Sequence, residues 1–259
     1  MKKIVMELFG RDLNTILNSV SASGVIENCG IEVTSDGLKS LNGDYSHICY
    51  SMTHFDKEFF SSYKYSEDFI FCIEGKKTIE MLKGFFVSDK VEVVASEKEV
   101  TFKTALSFLR IPCIVPDNHP RTDEIRFEDK RFSTKYEFAI KNLYLPFIKK
   151  SEFNFVKGAD VSFEKKGDRL FLKQKTFDGY IIEKLLSKDV EIVSSKDVEL
   201  NLEDFSIYFD LDFFFSIISG LKNEETLKLS LAPSQPIQVE IEGEFSQILL
   251  LMAIMIKED

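Results

Sequence analysis

Residues 73–93 read IEGKKTIEMLKGFFVSDKVEV, and a related pattern returns 136 positions later in residues 209–229, FDLDFFFSIISGLKNEETLKL. Each stretch contains the end of an apolar strand, a segment with helical spacing of apolar residues, a glycine and the start of another strand. The matched pairs are Ile79 with Phe215, Met81 with Ile217, Leu82 with Ile218, Gly84 with Gly220, Val91 with Leu227, and Val93 with Leu229. The repetition predicts two copies of one module built from strands and helices.

An earlier part of the chain repeats at a shift of 130 positions. The matched pairs are Leu8 with Phe138, Leu13 with Leu143, Leu17 with Phe147, Ile31 with Val161, Val33 with Phe163, and Gly37 with Gly167. Together the two shifts cover most of the chain, so we expect two similar halves packed with pseudo-symmetry.

Composition predicts a globular protein of one large or two medium domains, since 44% of the 259 residues are hydrophobic and 29% are charged. No stretch reaches the roughly 18 apolar residues that a membrane-spanning helix needs, and the N-terminus lacks the apolar core of a signal peptide. The net charge of −10 repels nucleic acid at long range, unless the basic residues gather on one face.

The four cysteines, Cys29, Cys49, Cys72 and Cys113, are widely spaced among apolar residues. This distribution predicts buried free thiols in a reducing compartment rather than a disulfide framework or a zinc site.

Alternation and helical spacing predict an α+β fold in which each half has antiparallel strands and two helices on one face. The predicted helices cover residues 10–21, 76–86, about 141–150 and 211–221. The charged segment 116–133 contains two prolines and predicts an extended connector. We therefore place the first domain at 1–117, an interdomain loop at 118–133 and the second domain at 134–259.

Signs of catalysis are few, and no enzyme activity and no cofactor or metal are expected. The three histidines lack partners at metal-binding spacing, and Gly75-Lys76-Lys77-Thr78 lacks the first glycine of a phosphate-binding loop. Asp210 and Asp212 could bind a divalent ion, but one of them is expected to cap the helix that follows.

Basic residues fall on or at the ends of the four predicted helices, whereas the rest of the chain is rich in acidic residues. Their positions are Arg11, Lys76, Lys77, Lys83, Lys141, Lys149, Lys150 and Lys222. A face formed by these helices would contact phosphates without reading bases. The alternative is that these residues simply solvate helix exteriors, since Asp12, Glu80 and Asp212 lie on the same helices.

The segment 34–50, TSDGLKSLNGDYSHICY, resembles the signature of the proliferating cell nuclear antigen (PCNA) family of sliding clamps. In that family a turn with a glycine, here Gly37, precedes a D-x-S-H-[VI] motif, here Asp44 to Ile48. Residues 57–65 and the strand after Pro236 are also similar to family segments, and the resemblance extends over nearly the whole chain.

The resemblance implies a homotrimeric ring around duplex DNA, with helices facing the hole and sheets facing outward. Such a ring is a processivity factor for DNA polymerase and a docking platform in DNA replication and repair. It binds double-stranded DNA without sequence preference, and it binds polymerase, clamp loader, nuclease and ligase through short peptide motifs. The implied location is the nucleus in a eukaryote and the cytoplasm otherwise. The family's DNA-contacting positions match Arg11, Lys83 and Lys149 or Lys150, whereas Ser219 stands where a lysine is usual.

The resemblance also implies a partner-peptide pocket and two subunit edges. The pocket would comprise His47, Ile48, Tyr50, Ile125, Phe127, Pro236, Leu251, Met252, Ala253 and Ile254. Ile254 stands where the family has proline, which implies altered partner specificity. The edges would comprise Phe108, Arg110, Tyr180, Ile181 and Ile182.

Three alternatives to the homotrimeric clamp remain at this stage. The chain could be one subunit of a heterotrimeric clamp, of the archaeal replication type or the 9-1-1 checkpoint type. It could be a small metal-dependent hydrolase or nuclease that uses the acidic residues near Asp210. It could also be a protein-interaction scaffold that does not bind DNA.

Overall fold

The computed structural model describes residues 2–46, 48–114, 138–146, 159–190, 204–218 and 226–255. The chain divides into two compact units. The first consists of Met1–Asp129, Ser216–Leu221 and Glu242–Leu250, and the second of Lys130–Phe215, Lys222–Ile241 and Leu251–Asp259. Within the described ranges, no helix has the length and apolar character needed to cross a membrane.

The first half of the chain contains nine strands, two α-helices and one 3-10 turn, Lys57–Phe59, in the residues described. The helices are α1, Gly10–Val20, and α2, Gly75–Leu82. The strands are β1 Lys3–Leu8, β2 Asn28–Val33, β3 Gly37–Gly43, β4 Cys49–Asp56, β5 Ser62–Tyr65, β6 Phe69–Glu74, β7 Val91–Ser96, β8 Glu99–Lys103 and β9 Phe108–Pro112.

One sheet of the first unit has the strand order β5-β1-β7-β8-β9, and all its pairs are antiparallel. Alternate residues of β1, namely Ile4, Met6 and Leu8, are buried, as period-two alternation of apolar residues requires. Val91 and Val93 of the neighbouring strand β7 are also buried. This alternation gives the sheet one apolar face and one face that carries charged residues.

A second group of strands in the first unit has the order β4-β3-β2-β6. Gly37 opens β3 with a φ of 147°, and a Cβ there would lie 2.0 Å from the Phe55 carbonyl oxygen. Only glycine fits this turn, which explains the turn signal in the sequence. The Tyr63 hydroxyl donates to the carbonyl oxygens of Thr34 and Gly37, each at 2.8 Å, and fixes the same turn.

Helix α1 has an apolar face, with Leu13, Ile16 and Leu17 buried as the sequence pattern predicts. Its last carbonyl groups receive hydrogen bonds from side chains of the neighbouring strands. The Asn42 amide donates to the Val20 carbonyl oxygen at 3.2 Å, and the Ser51 hydroxyl donates to that of Ser19. These bonds satisfy acceptors that the end of a helix leaves without an intrahelical partner.

The second half contains, in the residues described, the helix α3, Leu211–Ile218, and eight strands. The strands are β10 Ile140–Pro146, β11 Asp160–Lys166, β12 Arg169–Lys175, β13 Ile181–Ser187, β14 Phe205–Tyr208, β15 Thr226–Leu231, β16 Ile237–Gly243 and β17 Ser246–Met252. One antiparallel sheet has the order β13-β12-β11-β14, and strands β10, β15 and β16 are neighbours in that order. Sheets of antiparallel strands with helices in both halves confirm the α+β class.

An ion-pair network lies on one face of the β13-β12-β11-β14 sheet. The Glu164 carboxylate lies 2.8 Å from the Lys173 ammonium and 3.0 Å from the Lys166 ammonium, and Lys166 also lies 2.8 Å from Glu183. Burial raises the pKa of Glu164, but the hydrogen bonds and charges of Lys173 and Lys166 outweigh burial, so its pKa lies below the ordinary value.

The repeat at a shift of 136 is confirmed by the structure, because α2 at 75–82 and α3 at 211–218 coincide when the shift is applied. The helix predicted at about 141–150 is wrong over 141–146, which form β10; the remainder lies outside the described residues. Apolar residues of β10, such as Leu143 and Leu145, resembled part of a helical pattern. A short apolar run fits both the 3.6-residue spacing of a helix and the two-residue alternation of a strand.

The repeat at a shift of 130 is wrong in detail. Gly37 is the first residue of β3, whereas Gly167 lies in the turn between β11 and β12. The pairs Val33–Leu38 and Lys165–Leu170 are equivalent places in the two hairpins, and they differ by 132 positions. The two turns have the same length, so the error is a shift of 130 in place of 132 positions, and matches between apolar residues are too common to reveal it.

The predicted domain boundaries and the extended connector fall largely on residues that the structure does not describe. Residues 115–137, which contain the predicted loop 118–133, lie outside the described ranges. The boundaries at 117 and 134 therefore stay predictions.

Candidate DNA-contacting helices, partner pocket and subunit edges

Arg11, the first predicted DNA contact, lies in the first turn of α1 with its side chain exposed. Its guanidinium lies over the Phe9 ring at 5.2 Å from the centroid, and its Nε lies 3.6 Å from Asp12. Burial raises the pKa of Asp12 more than the neighbouring Arg11 lowers it. The carboxylate of Asp12 beside Arg11 reduces the local positive charge.

Helix α2 presents Lys76 and Lys77 in its first turn, and Lys83 follows its last residue. All three side chains are exposed. The Lys77 ammonium donates to the Glu74 carboxylate at 3.3 Å, an exposed pair that contributes little to stability. These lysines form the most basic helical segment among the described residues.

The remaining predicted basic positions do not extend this pattern in the part of the chain that is described. Lys141 lies exposed in strand β10 rather than on a helix, so its assignment to a helix is wrong. Lys149, Lys150 and Lys222 lie outside the described residues.

Helix α3 carries no basic residue, and Asp212 lies in its first turn. Asp210 caps the helix, because its carboxylate accepts a hydrogen bond from the Phe213 amide at 2.8 Å. The expectation that one aspartate of this pair caps the helix is therefore confirmed. Among the described residues, no group of three or more histidine, cysteine, aspartate or glutamate side chains could hold a metal ion.

The cysteines are free thiols, as predicted: Cys29, Cys49 and Cys72 are buried and Cys113 is half-buried. Burial raises the pKa of all four, and that of Cys113 lies at about 11. A raised pKa keeps the thiols protonated near neutral pH, so they are poor nucleophiles.

Asp44, the first residue of the D-x-S-H-[VI] motif, binds main-chain amides that follow it in the chain. Asp44 accepts hydrogen bonds from the Cys49 amide at 2.6 Å and the Ser46 amide at 3.0 Å. The Ile48 side chain is 42% exposed, and Tyr50 is half-buried in β4. His47 lies outside the described residues. The aspartate therefore holds the main chain before β4 through two hydrogen bonds.

The second unit contributes the other described residues of the predicted pocket. Leu251 and Met252 are buried at the end of β17, whereas Ala253 is exposed and Pro236 and Ile254 are half-buried. The Met255 amide then donates to the Tyr208 carbonyl oxygen at 2.8 Å. This bond ties the chain after β17 to β14, which leaves Ala253 and Ile254 between two fixed points. Ile125 and Phe127 lie outside the described residues.

The predicted subunit-edge residues lie on two edge strands, one in each unit. Strand β9 ends the five-stranded sheet, where Phe108 is 62% exposed and Arg110 is exposed. Strand β13 ends the four-stranded sheet, with Tyr180 just before it 73% exposed and Ile181 and Ile182 also exposed. Exposed apolar residues on a strand edge indicate a place where another strand can pair.

Further exposed apolar residues near these edges were not predicted. Leu106 lies in the β8–β9 hairpin and Phe177 in the β12–β13 hairpin, and both are almost wholly exposed, while Leu185 on β13 is partly exposed. A large apolar residue inside a turn of polar residues is a signal that the sequence contains and that could have identified the first two.

The fold places the chain among known proteins. In the solved structure of the C-terminal region of FEN-1 bound to A. fulgidus PCNA, the matching chain superposes with a TM-score of 0.76 at 16% identity. The match covers 99% of this chain and 100% of that one. The chain has the fold of a PCNA-family sliding clamp.

A second clamp structure agrees with this assignment. The PCNA2–PCNA3 complex from Sulfolobus tokodaii contains a chain that superposes with a TM-score of 0.71 at 15% identity, covering 96% of this chain and 98% of that one. The clamp fold therefore accounts for nearly all of the chain.

Comparison of sequences finds two curated relatives, and both are named as DNA polymerase sliding clamps. The DNA polymerase sliding clamp of Methanopyrus kandleri is 22% identical over 227 residues, which are 85% of this clamp-fold chain and 84% of the relative. The DNA polymerase sliding clamp 1 of Sulfolobus acidocaldarius is 22% identical over 239 residues, 90% of this chain and 91% of the relative. No protein-family model matches the chain. Sequence and fold together support a sliding clamp.

Proposed function

We propose that this protein is a DNA sliding clamp, a ring around duplex DNA that tethers DNA polymerase and carries replication and repair proteins. The observation that carries the proposal is the match of nearly the whole chain to clamp structures, with curated clamps as its sequence relatives. The clamp acts by topology and docking rather than by catalysis. Its location is then that of the DNA, the nucleus in a eukaryote or the nucleoid otherwise.

The ring is a homotrimer closed through the two edge strands. Strands β9 and β13 present exposed apolar residues, among them Phe108 and Ile181, and a second copy of the chain would cover them. Association that pairs different surfaces of each subunit can close a ring when the rotation permits.

DNA contact is sequence-independent and rests mainly on Lys76, Lys77 and Lys83, with Arg11 in support. Exposed lysines bind phosphates as point charges, and such contacts allow movement along the duplex. Lys149, Lys150 and Lys222 complete the proposed set, whereas helix α3 contributes no positive charge.

Partner proteins, among them polymerase, clamp loader, nuclease and ligase, bind through short peptides near Ile48, Ala253 and Ile254. Ile48 and Ala253 are exposed and Ile254 is half-buried, so apolar side chains of a peptide can contact them. His47, Ile125 and Phe127 belong to the same proposed pocket.

The proposal is tested by measuring whether the protein stays bound to a circular plasmid. The chain is dissociated by dilution, mixed with nicked circular plasmid, reconcentrated and passed over a sizing column in high salt. We expect coelution with the circle, and release when a restriction enzyme cuts the plasmid once, because a topological link does not depend on charge. Equal loss from circular and linear plasmid in high salt would contradict the proposal.

A second candidate is one subunit of a heterotrimeric clamp. The observation in its favour is the similarity to a chain of the PCNA2–PCNA3 complex from Sulfolobus tokodaii, an assembly of two different clamp proteins. Light scattering separates the two cases: a mass near three times 29.8 kDa supports the homotrimer, whereas a monomer at micromolar concentration supports the heterotrimer subunit.

A further inference from the structure

We propose a specific register for the contact between two copies of this chain, in which Arg110 of β9 lies opposite Glu183 of β13. This inference rests on the proposed ring but goes beyond it, since it assigns the facing residues. Phe108 then lies opposite Leu185, and Pro112 lies opposite Ile181.

The hydrogen bonds of the β8–β9 hairpin decide which main-chain groups of β9 are free. The Cys113 amide donates to the Lys98 carbonyl oxygen at 2.8 Å, and the Ser107 carbonyl oxygen accepts from the Thr104 amide at 2.9 Å. Residues 107 and 113 therefore point toward β8, as do residues 109 and 111 between them. Because directions alternate along a strand, Phe108, Arg110 and Pro112 point to the open edge.

The same reasoning applies to β13. The Thr176 amide donates to the Tyr180 carbonyl oxygen at 2.9 Å, so Tyr180 points toward β12. The register of β12 with β13 is regular from the pair Lys175–Ile181 to the pair Leu172–Lys184. The main-chain groups of Ile182 and Lys184 therefore also point toward β12. Among the described residues, the amides and carbonyls of β13 that face away from β12 thus belong to Ile181, Glu183 and Leu185.

In an antiparallel pair, residues with free main-chain groups must face one another. This rule admits only registers that match residues 108, 110 and 112 with residues 181, 183 and 185. Placing 110 opposite 183 uses all three residues on each strand, whereas a shift by two residues in either direction loses one pair. Pro112 has no amide hydrogen, so its pair is completed by one bond, from the Ile181 amide.

Side-chain chemistry favours the same register. It pairs one basic residue with one acidic residue and places apolar residues on both sides. A shift by two residues would place Glu183 opposite Phe108 or Pro112, and Arg110 opposite an aliphatic side chain. Arg110 is exposed and contacts Glu99 through its Nε at 3.7 Å. The guanidinium has N–H donors besides Nε, and the Glu183 carboxylate, whose Oε1 lies 2.8 Å from Lys166 of its own chain, has a second oxygen that can accept one of them.

The register is tested by reversing the charges of Arg110 and Glu183, first one at a time and then together. We expect Arg110→Glu and Glu183→Arg each to weaken self-association by roughly tenfold or more, because each places like charges opposite one another in every contact of the ring. The double variant, with both changes in one chain, should regain most of the association. Mass is measured by light scattering over a dilution series of the full chain.

Matched controls use Lys57→Glu and Glu58→Arg, which make the same charge changes at an exposed pair 4.0 Å apart in the 3-10 turn, a segment that belongs to neither β9 nor β13. Their masses should follow the wild type at every concentration. Circular dichroism of all variants checks that the fold is retained.

Each result has a defined meaning. Rescue in the double variant supports the register. A trimeric wild type whose double variant is as weak as the single variants overturns the register, while the ring and its function stand. A trimer that fails the circular-plasmid test overturns the proposed function, while the register stands. A monomeric wild type overturns the self-contact altogether.

Discussion

Helices α2 and α3 occupy equivalent places in the repeat, yet they differ in capping, charge and exposed chemistry. Glu74 precedes α2 without a side-chain cap, whereas Asp210 at the matching position caps α3. Lys76 is matched by Asp212. In contrast, Leu82 and Ile218 are both completely buried. The repeat therefore constrains the core, because packing tolerates few substitutions there, while exposed positions have diverged.

The largest expected loss of stability comes from the buried residue at the end of each helix, which α2 and α3 have in common. Leu82→Ala and Ile218→Ala should each lower the free energy of unfolding by about 2–5 kcal/mol, since each leaves a cavity in a closed site. Urea denaturation followed by circular dichroism measures both. A loss below about 1 kcal/mol at one site only would show that the two helix ends are not equivalent in packing.

The next largest effect on stability distinguishes the β11–β12 hairpin from the equivalent β2–β3 hairpin. Glu164 is buried between two lysines, whereas Glu32, its equivalent 132 positions earlier, is exposed. Glu164→Gln should cost about 1–3 kcal/mol at neutral pH, and Glu32→Gln should cost little. Denaturation of the two variants side by side measures the difference.

The pH dependence of the Glu164 effect follows from the lowered pKa. A carboxylate with a lowered folded-state pKa stabilises the fold above its unfolded pKa, and this stabilisation is lost as the pH falls through the folded pKa. The stability gap between wild type and Glu164→Gln should therefore narrow in acid. A gap that stays constant from neutral pH to strong acid would refute this account.

Helix capping should give a smaller difference in stability between α3 and α2. Asp210→Ala should lower the free energy of unfolding by about 1 kcal/mol, because the Phe213 amide loses its acceptor. Glu74→Ala removes no cap and should change stability by roughly 0.5 kcal/mol or less. Equal losses in the two variants, measured by thermal unfolding, would contradict the assigned cap.

The smallest expected effect concerns charge on the same two helices. The double change Lys76→Ala, Lys77→Ala should make the dependence of log DNA affinity on log salt shallower by roughly 1–2, as expected when two phosphate contacts are lost. Asp212→Asn should leave that slope unchanged and strengthen binding slightly. Fluorescence anisotropy with short duplex DNA over a salt series measures both. An unchanged slope in the lysine variant would remove α2 from the proposed DNA contacts.

Sequence patterns predicted α1, α2 and α3, because apolar residues in each recur at helical spacing over eight or more residues. They failed at 141–146, which belong to the seven-residue strand β10, because so short an apolar segment fits both the helical and the strand spacing. The basic positions illustrate the limit on site prediction. Composition located the lysines, but their neighbours in sequence did not reveal that Lys141 lies on a strand.

The sequence by itself determined the duplication, the α+β class, the turn at Gly37, the cap before α3 and the presence of free thiols, because these depend on local chemistry and apolar spacing. Tertiary structure alone decided that Glu164 is buried between lysines, that Met255 is tied to Tyr208, and that Glu183 lies on the last strand of its sheet in the part of the chain described. Such facts depend on which strands pair and in what register, and pairing joins residues far apart in the chain.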